Sequence, residues 1–196
     1  MLGLNKNNKN LTYDGKQILV TGGGTGLGKA MAKRFAELGG EVAICSRKVP
    51  VLEKTANEIN ESLGKEAVSF KQLDVRDTKM VQDFFADYLP DVIVNNAAGN
   101  FISPTERLTQ SAFHNIIDIV LKGTASITLE AGKKMIKENK GGVFMSVGVP
   151  YASTGSAYVV PSACAKSGVE ALTKSLSAEW GQYGIRLNCV SLGPIY

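Results

Sequence analysis

Six short apolar runs alternate with amphipathic helical stretches along this chain, and that alternation is the strongest constraint on its fold. The strand-like runs lie at residues 17–21, 42–45, 68–73, 91–94, 142–146 and 186–191. Between them, apolar residues return at the spacing of a helix with one buried face. Leu27, Ala30, Met31, Phe35 and Leu38 form the first such set, and Gly39-Gly40 ends it. Pro50 opens a second, with Leu52, Ala56, Ile59 and Leu63 on one face and Gly64 as the stop. Asp77 is placed to cap a third, which carries Met80, Val81, Phe84, Phe85 and Tyr88. The Phe84-Phe85 pair reads as core. Long helices are predicted over residues 109–137 and 159–180. Strands joined through helices cross over and run parallel, with helices covering both faces of the sheet. The expected architecture is therefore α/β: a doubly wound parallel sheet in a three-layer α/β/α stack, strand order 3-2-1-4-5-6.

The chain of 196 residues is one domain's worth. That domain is expected over residues 14–196, after an Asn- and Lys-rich arm at 1–13 read as disordered. The net charge of +4, from 22 basic and 18 acidic residues, is spread along the chain. No dense basic patch with interleaved aromatics is present, which argues against nucleic acid. No apolar run approaches the roughly 18 residues of a membrane span. Cys45, Cys164 and Cys189 form no CxxC pair, so neither a metal site nor a redox dithiol is expected. An odd cysteine count suits a reducing compartment, and the reading is a soluble intracellular protein of the cytoplasm or, alternatively, the mitochondrial matrix.

The first strand runs into Thr21-Gly22-Gly23-Gly24-Thr25-Gly26-Leu27-Gly28, and a helix follows. Such a turn lets backbone approach a pyrophosphate, and the helix start offers it free N–H groups and a positive dipole end. Gly22, Gly24, Thr25, Gly26, Leu27 and Gly28 are thus candidate phosphate ligands in a Rossmann-like fold, whose crevice opens at the carboxyl ends of strands one and four. The second strand ends in Cys45-Ser46-Arg47-Lys48, where an NAD site places an acidic residue. Two cations and a hydroxyl attract a 2′-phosphate instead, so Ser46, Arg47 and Lys48 predict NADPH.

The phosphate turn, Asn95-Asn96-Ala97-Ala98-Gly99 and the helix around Lys166 together resemble the short-chain dehydrogenase/reductase family. Residues 95–108, 159–166 and 177–181 are similar to the NADPH-dependent 2,4-dienoyl-CoA reductases within it, and the likeness runs from about residue 14 to 195. Most of that family carries Tyr-x-x-x-Lys. Here Ser162 stands four residues before Lys166, and Tyr151, fifteen before it, matches the displaced tyrosine of the dienoyl-CoA reductases.

The resemblance implies a set of roles. Lys166 binds the nicotinamide ribose. Tyr151 and Asn100 donate to the thioester oxygen of an acyl-CoA, and Ser162 supports the tyrosine or the cofactor. Asp74 and Val75 meet the adenine, Asn95, Ala97 and Gly99 the adjoining ribose, and Gly193, Pro194 and Ile195 form a cofactor turn. Arg76 and Phe101 contact the acyl-CoA. The implied activity is reduction of 2,4-dienoyl-CoA to 3-enoyl-CoA in the β-oxidation of unsaturated fatty acids, by a homo-oligomer (dimer or tetramer). Three features depart from the pattern. The chain stops at Tyr196, before the stretch that supplies a last strand and much of the acyl-binding lid. Lys122 stands where asparagine is expected, and a second cation near Lys166 disfavours its charged form. Pro150 restricts the backbone just before Tyr151. Two alternatives therefore stay open: a short-chain reductase acting on a ketone, and an inactive NADPH-binding module or truncated form.

Overall fold

The computed structural model describes residues 12–193. Six strands, β1 (Gln17–Thr21), β2 (Glu41–Ser46), β3 (Val68–Gln72), β4 (Val92–Asn95), β5 (Gly142–Gly148) and β6 (Ile185–Ser191), form one sheet. Its order is β3-β2-β1-β4-β5-β6, and every pairing is parallel. This is the predicted order, reached because each helical connection must return to the same end of the sheet.

The helices are α1 (Gly26–Glu37), α2 (Val49–Leu63), α3 (Thr78–Asp87), α4 (Gln110–Ile117), α5 (Gly123–Lys137), α6 (Tyr151–Thr154) and α7 (Val160–Trp180). Side chains alternate across a strand, so the central strand feeds two cores. Ile18 and Val20 pack with Ala32, Ala36, Leu52 and Ile59 of α1 and α2. Leu19 faces the other way, into a core with Phe84 and Phe85 of α3, Ile127 and Met135 of α5, and Trp180 of α7. All three β1 residues are fully buried, as expected of a central parallel strand. Asp77 caps α3 as predicted, its carboxylate accepting from the Met80 amide at 3.0 Å. At the other end of α3, Lys134 Nζ donates to the Phe85 carbonyl at 2.7 Å and to that of Ala86. No helix among the described residues is long and apolar enough to cross a membrane.

The structure differs from the sequence reading in four places. Tyr13, assigned to the arm, is docked: its amide donates to the Leu38 carbonyl at 2.8 Å, and its ring meets Phe35 edge-on at 5.0 Å. Residues 1–11 of the predicted arm lie outside the described residues. The helix expected over 109–137 is not uniform, because a π-helical turn, Asp118–Lys122, separates α4 from α5. The short helix α6 has too few residues for a periodic signal. Strand ends move by one or two residues, the usual imprecision of a hydrophobic pattern.

Candidate functional site

The carboxyl ends of β1, β2 and β4 open into a crevice. Gly22, Gly24, Thr25, Gly26, Leu27 and Gly28 line one side, Ser46, Arg47 and Lys48 another, and Asp74, Val75 and Ala97 a third. These residues come from four separate stretches of sequence, and the topology brings them together. The floor is tight. Gly22 has φ of 65°, and a Cβ there would approach Ala97 Cα to 3.0 Å. A Cβ on Gly28 would lie 2.3 Å from the Gly22 carbonyl oxygen. The crevice thus presents bare backbone at a helix start, the surface a pyrophosphate requires. Cations at one end and an apolar wall at Val51 and Ile119 suit the rest of a dinucleotide.

Two residues that hold this floor were missed from the sequence. Thr21 Oγ1 donates to the Val94 carbonyl at 3.2 Å and accepts the amides of Asn96 and Ala97, each at 3.0 Å. Asn96 Nδ2 returns the contact, donating to the carbonyls of Thr21 at 3.0 Å and Gly22 at 3.2 Å. The turn after β1 is therefore latched to the strand end of β4. Thr55 adds a third tie, its hydroxyl donating to the Gly24 carbonyl at 2.7 Å. The one available signal was the polar pair Asn95-Asn96 at a strand end.

Asn95 stands apart from these ties. Its side chain does not reach the crevice; it is buried behind β4, where Nδ2 donates to Thr128 Oγ1 at 3.0 Å. Successive strand residues point to opposite faces, so Asn96 faces the crevice and Asn95 faces α5. Gly99 is also outside the lining, against Ile116 and Ile119. Gly193 follows β6 and is exposed, while Pro194 and Ile195 lie outside the described residues.

One strand further along, at the carboxyl end of β5, sits a second cluster. Ser162 and Lys166 lie four residues apart on α7, hence on one face, and both are buried. Tyr151 Oη is 3.1 Å from Ser162 Oγ. Lys166 Nζ donates to the Val147 carbonyl. Burial pushes the Lys166 amine below the ordinary lysine range, opposed in part by the nearby Cys189 thiol. Tyr151 begins α6, whose carbonyl at Ala152 is tied to α7 through Ser167 Oγ. Pro150 adopts φ −59° and ψ −35°, the conformation its ring prefers, and it starts the helical turn without disturbing it.

Lys122 does not join this cluster. It extends outward and pairs with Asp118 at 2.7 Å. From the π-helical turn, Val120 is fully buried with Ile116 and with Ala165 and Val169 of α7, and Leu121 lies against Gly168.

Asn100, Phe101 and Arg76 lie outside the crevice. Asn100 and Phe101 are exposed on the loop after β4, and that loop is joined to the segment between Tyr151 and Ser162 by a bond from the Ser103 amide to the Tyr158 carbonyl at 2.9 Å. Phe101 borders a hollow with Asn115 and Asp118. Arg76 reaches the same helix, donating from Nη1 to Asn115 Oδ1 at 3.2 Å.

Residues 16–196 match the family described as short chain dehydrogenase. A Caenorhabditis elegans protein described as probable 2,4-dienoyl-CoA reductase 3 is 50% identical over 188 residues, 92% of this chain and 60% of its own length. The chain thus spans about three fifths of that relative. A Bacillus subtilis (strain 168) probable 2,4-dienoyl-CoA reductase is 41% identical, over 92% of this chain and 72% of its own. Among solved structures, a short chain dehydrogenase from Bacillus anthracis superposes with a TM-score of 0.86 at 38% identity, covering 91% of this chain and 74% of that one. With its sheet order, its glycine-floored crevice and these likenesses in agreement, the chain belongs to the short-chain dehydrogenase family.

Proposed function

We propose that this chain takes part in the NADPH-dependent reduction of 2,4-dienoyl-CoA thioesters to 3-enoyl-CoA in unsaturated fatty-acid oxidation. The observation that carries the reading is the hydrogen-bonded Tyr151–Ser162 pair on the face of α7 that bears Lys166. The tyrosine comes from α6, and a serine occupies the position four before the lysine, which is the dienoyl-CoA reductase arrangement rather than the ketone reductase one.

The glycine floor from Gly22 to Gly28 fits a pyrophosphate, and Ser46, Arg47 and Lys48 fit a 2′-phosphate, the guanidinium holding it bidentately. Asp74, Val75 and Ala97 are placed for the adenosine. The chemistry NADPH supplies when bound is hydride donation to the distal carbon of the diene. Tyr151 Oη and the Asn100 amide then donate to the thioester oxygen, where negative charge accumulates as the conjugated system shifts. Donors aimed at that developing charge favour the transition state over the substrate. Ser162 orients the Tyr151 hydroxyl, and Lys166 holds the ribose. A proton from water completes the 3-enoyl product. We place this reaction in a homo-oligomer, in the cytoplasm or the mitochondrial matrix.

The test is NADPH oxidation by purified protein with a 2,4-dienoyl-CoA, beside Tyr151→Phe. Losing one such donor costs about 3 kcal/mol, roughly a hundredfold in kcat. Consumption no faster than in Tyr151→Phe, or turnover of simple ketones in its place, overturns the reading.

A further inference from the structure

At one end of the crevice, three charged side chains are arranged so that their pairing decides which cation is free. Asp74 lines the crevice together with Arg47 and Lys48. Arg76 closes on the Asp74 carboxylate as a fork: Nε lies 3.0 Å from Oδ1, and Nη2 lies 2.6 Å from Oδ2. The Arg76 amide adds a third bond to Oδ1 at 3.0 Å. The far end of the guanidinium is anchored on α4 by Asn115. Both oxygens of Asp74 are therefore engaged by Arg76. Arg47 also acts on the Asp74 carboxylate, but more weakly than Arg76 does.

Left unpaired, a carboxylate on this wall has two effects. It draws Arg47 toward itself, and it repels an incoming phosphate. Either one lowers preference for the phosphorylated cofactor. Arg76 removes both without contacting that phosphate. Lysine in its place offers a point charge and not a planar fork, so it engages the two oxygens less well.

We propose that Arg76 is a positioning residue for cofactor specificity: by occupying Asp74 it leaves Arg47 free to take a 2′-phosphate. This role is additional to any contact with the acyl-CoA, and it rests on the reading of the crevice as an NADPH site. The coupling runs through Asp74, so its signature is rescue. Removing the carboxylate must cancel the effect of removing the guanidinium.

The experiment is titration of NADPH and NADH by cofactor fluorescence against wild type, Arg76→Gln, Asp74→Asn and the double variant. The readout is the ratio of the two dissociation constants, which cancels general damage to the adenine pocket. Arg76→Gln is expected to lower the NADPH preference roughly threefold to fivefold, the scale of a part-exposed charge interaction. The double variant is expected to return to the wild-type ratio, and Asp74→Asn alone to hold or raise it. An unchanged ratio in Arg76→Gln overturns the inference and leaves the cofactor reading intact. So does a double variant as poor as Arg76→Gln, since Arg76 then acts on the phosphate directly. If Arg76→Gln does not fold, a fall in the ratio for Asp74→Asn is the overturning result. No NADPH preference in wild type removes the cofactor reading and this inference together.

Discussion

Placing a methyl group at Gly28 tests the geometry of the crevice floor most directly. An alanine Cβ there meets the Gly22 carbonyl oxygen at 2.3 Å and Asn96 Nδ2 at 2.6 Å. Both are roughly 1 Å short of van der Waals contact. The carbonyl belongs to backbone held at φ 65° and cannot retreat without moving the whole turn. The Asn96 amide can move, but only by giving up its bonds to Thr21 and Gly22, each worth about 1 kcal/mol. Overpacking of this kind costs about 1–3 kcal/mol. Against it stands about 1 kcal/mol gained from alanine's higher helix propensity. The net expectation is a loss of about 2–4 kcal/mol, or roughly 4–16 °C in melting temperature for a domain of this size. Gly181→Ala is the control, because a Cβ at that position meets nothing within 4 Å. It is expected to be neutral or stabilising by a few tenths of a kcal/mol, ~0.5 at most. Circular dichroism melts and urea titrations without nucleotide measure both. A Gly28→Ala protein that melts with wild type refutes the close packing of turn, helix and Asn96.

Two further outcomes follow from the same geometry. Thr21→Val keeps the shape but leaves the Asn96 and Ala97 amides without an acceptor; urea unfolding is expected to show a loss of about 2–4 kcal/mol, and Thr21→Ser to recover most of it. Lys166 is held below the ordinary lysine range by burial, so above that lowered value, and up to about pH 10.4, the unfolded chain binds a proton that the folded chain lacks. Its contribution to stability therefore rises with pH across that window and is lost as pH falls through the folded-state value. Lys166→Met should flatten the pH dependence of the urea midpoint there, and an unaltered slope counts against a buried amine.

Sheet order was legible because six strand-like runs with helical crossovers leave few parallel topologies. The phosphate turn was legible because glycine spacing between a strand and a helix is a local signal. The side chains that lock it were not. Thr21 and Asn96 meet across 75 residues of sequence, and no periodicity announces such a pair. Asn95 and Asn96 were distinguishable in principle, since the strand period sends them to opposite faces, but the end of β4 had to be known to the residue. The direction of Lys122 stayed open for a similar reason. Its ion pair with Asp118, four residues earlier, is the ordinary helical pairing and was visible in the sequence. What placed Val120 rather than Lys122 against α7 was a local change of helical pitch that composition does not encode.

That change of pitch also makes the length of the α4–α5 segment a constraint in its own right. Each α-helical residue turns the chain by about 100°. Asp118–Lys122 absorbs one residue more than an α-helical turn, with Ile116 and Val120 seated on α7 upstream and Ile127 and Met135 in the central core downstream. Excising a single residue within Asp118–Lys122 would restore ordinary α-helical winding and leave both sets in their seats, whereas a deletion elsewhere along α4 or α5 would rotate one set by about that angle and empty one seam. The π-helical turn is therefore the one place along this segment where the chain can lose a residue without shifting either seam.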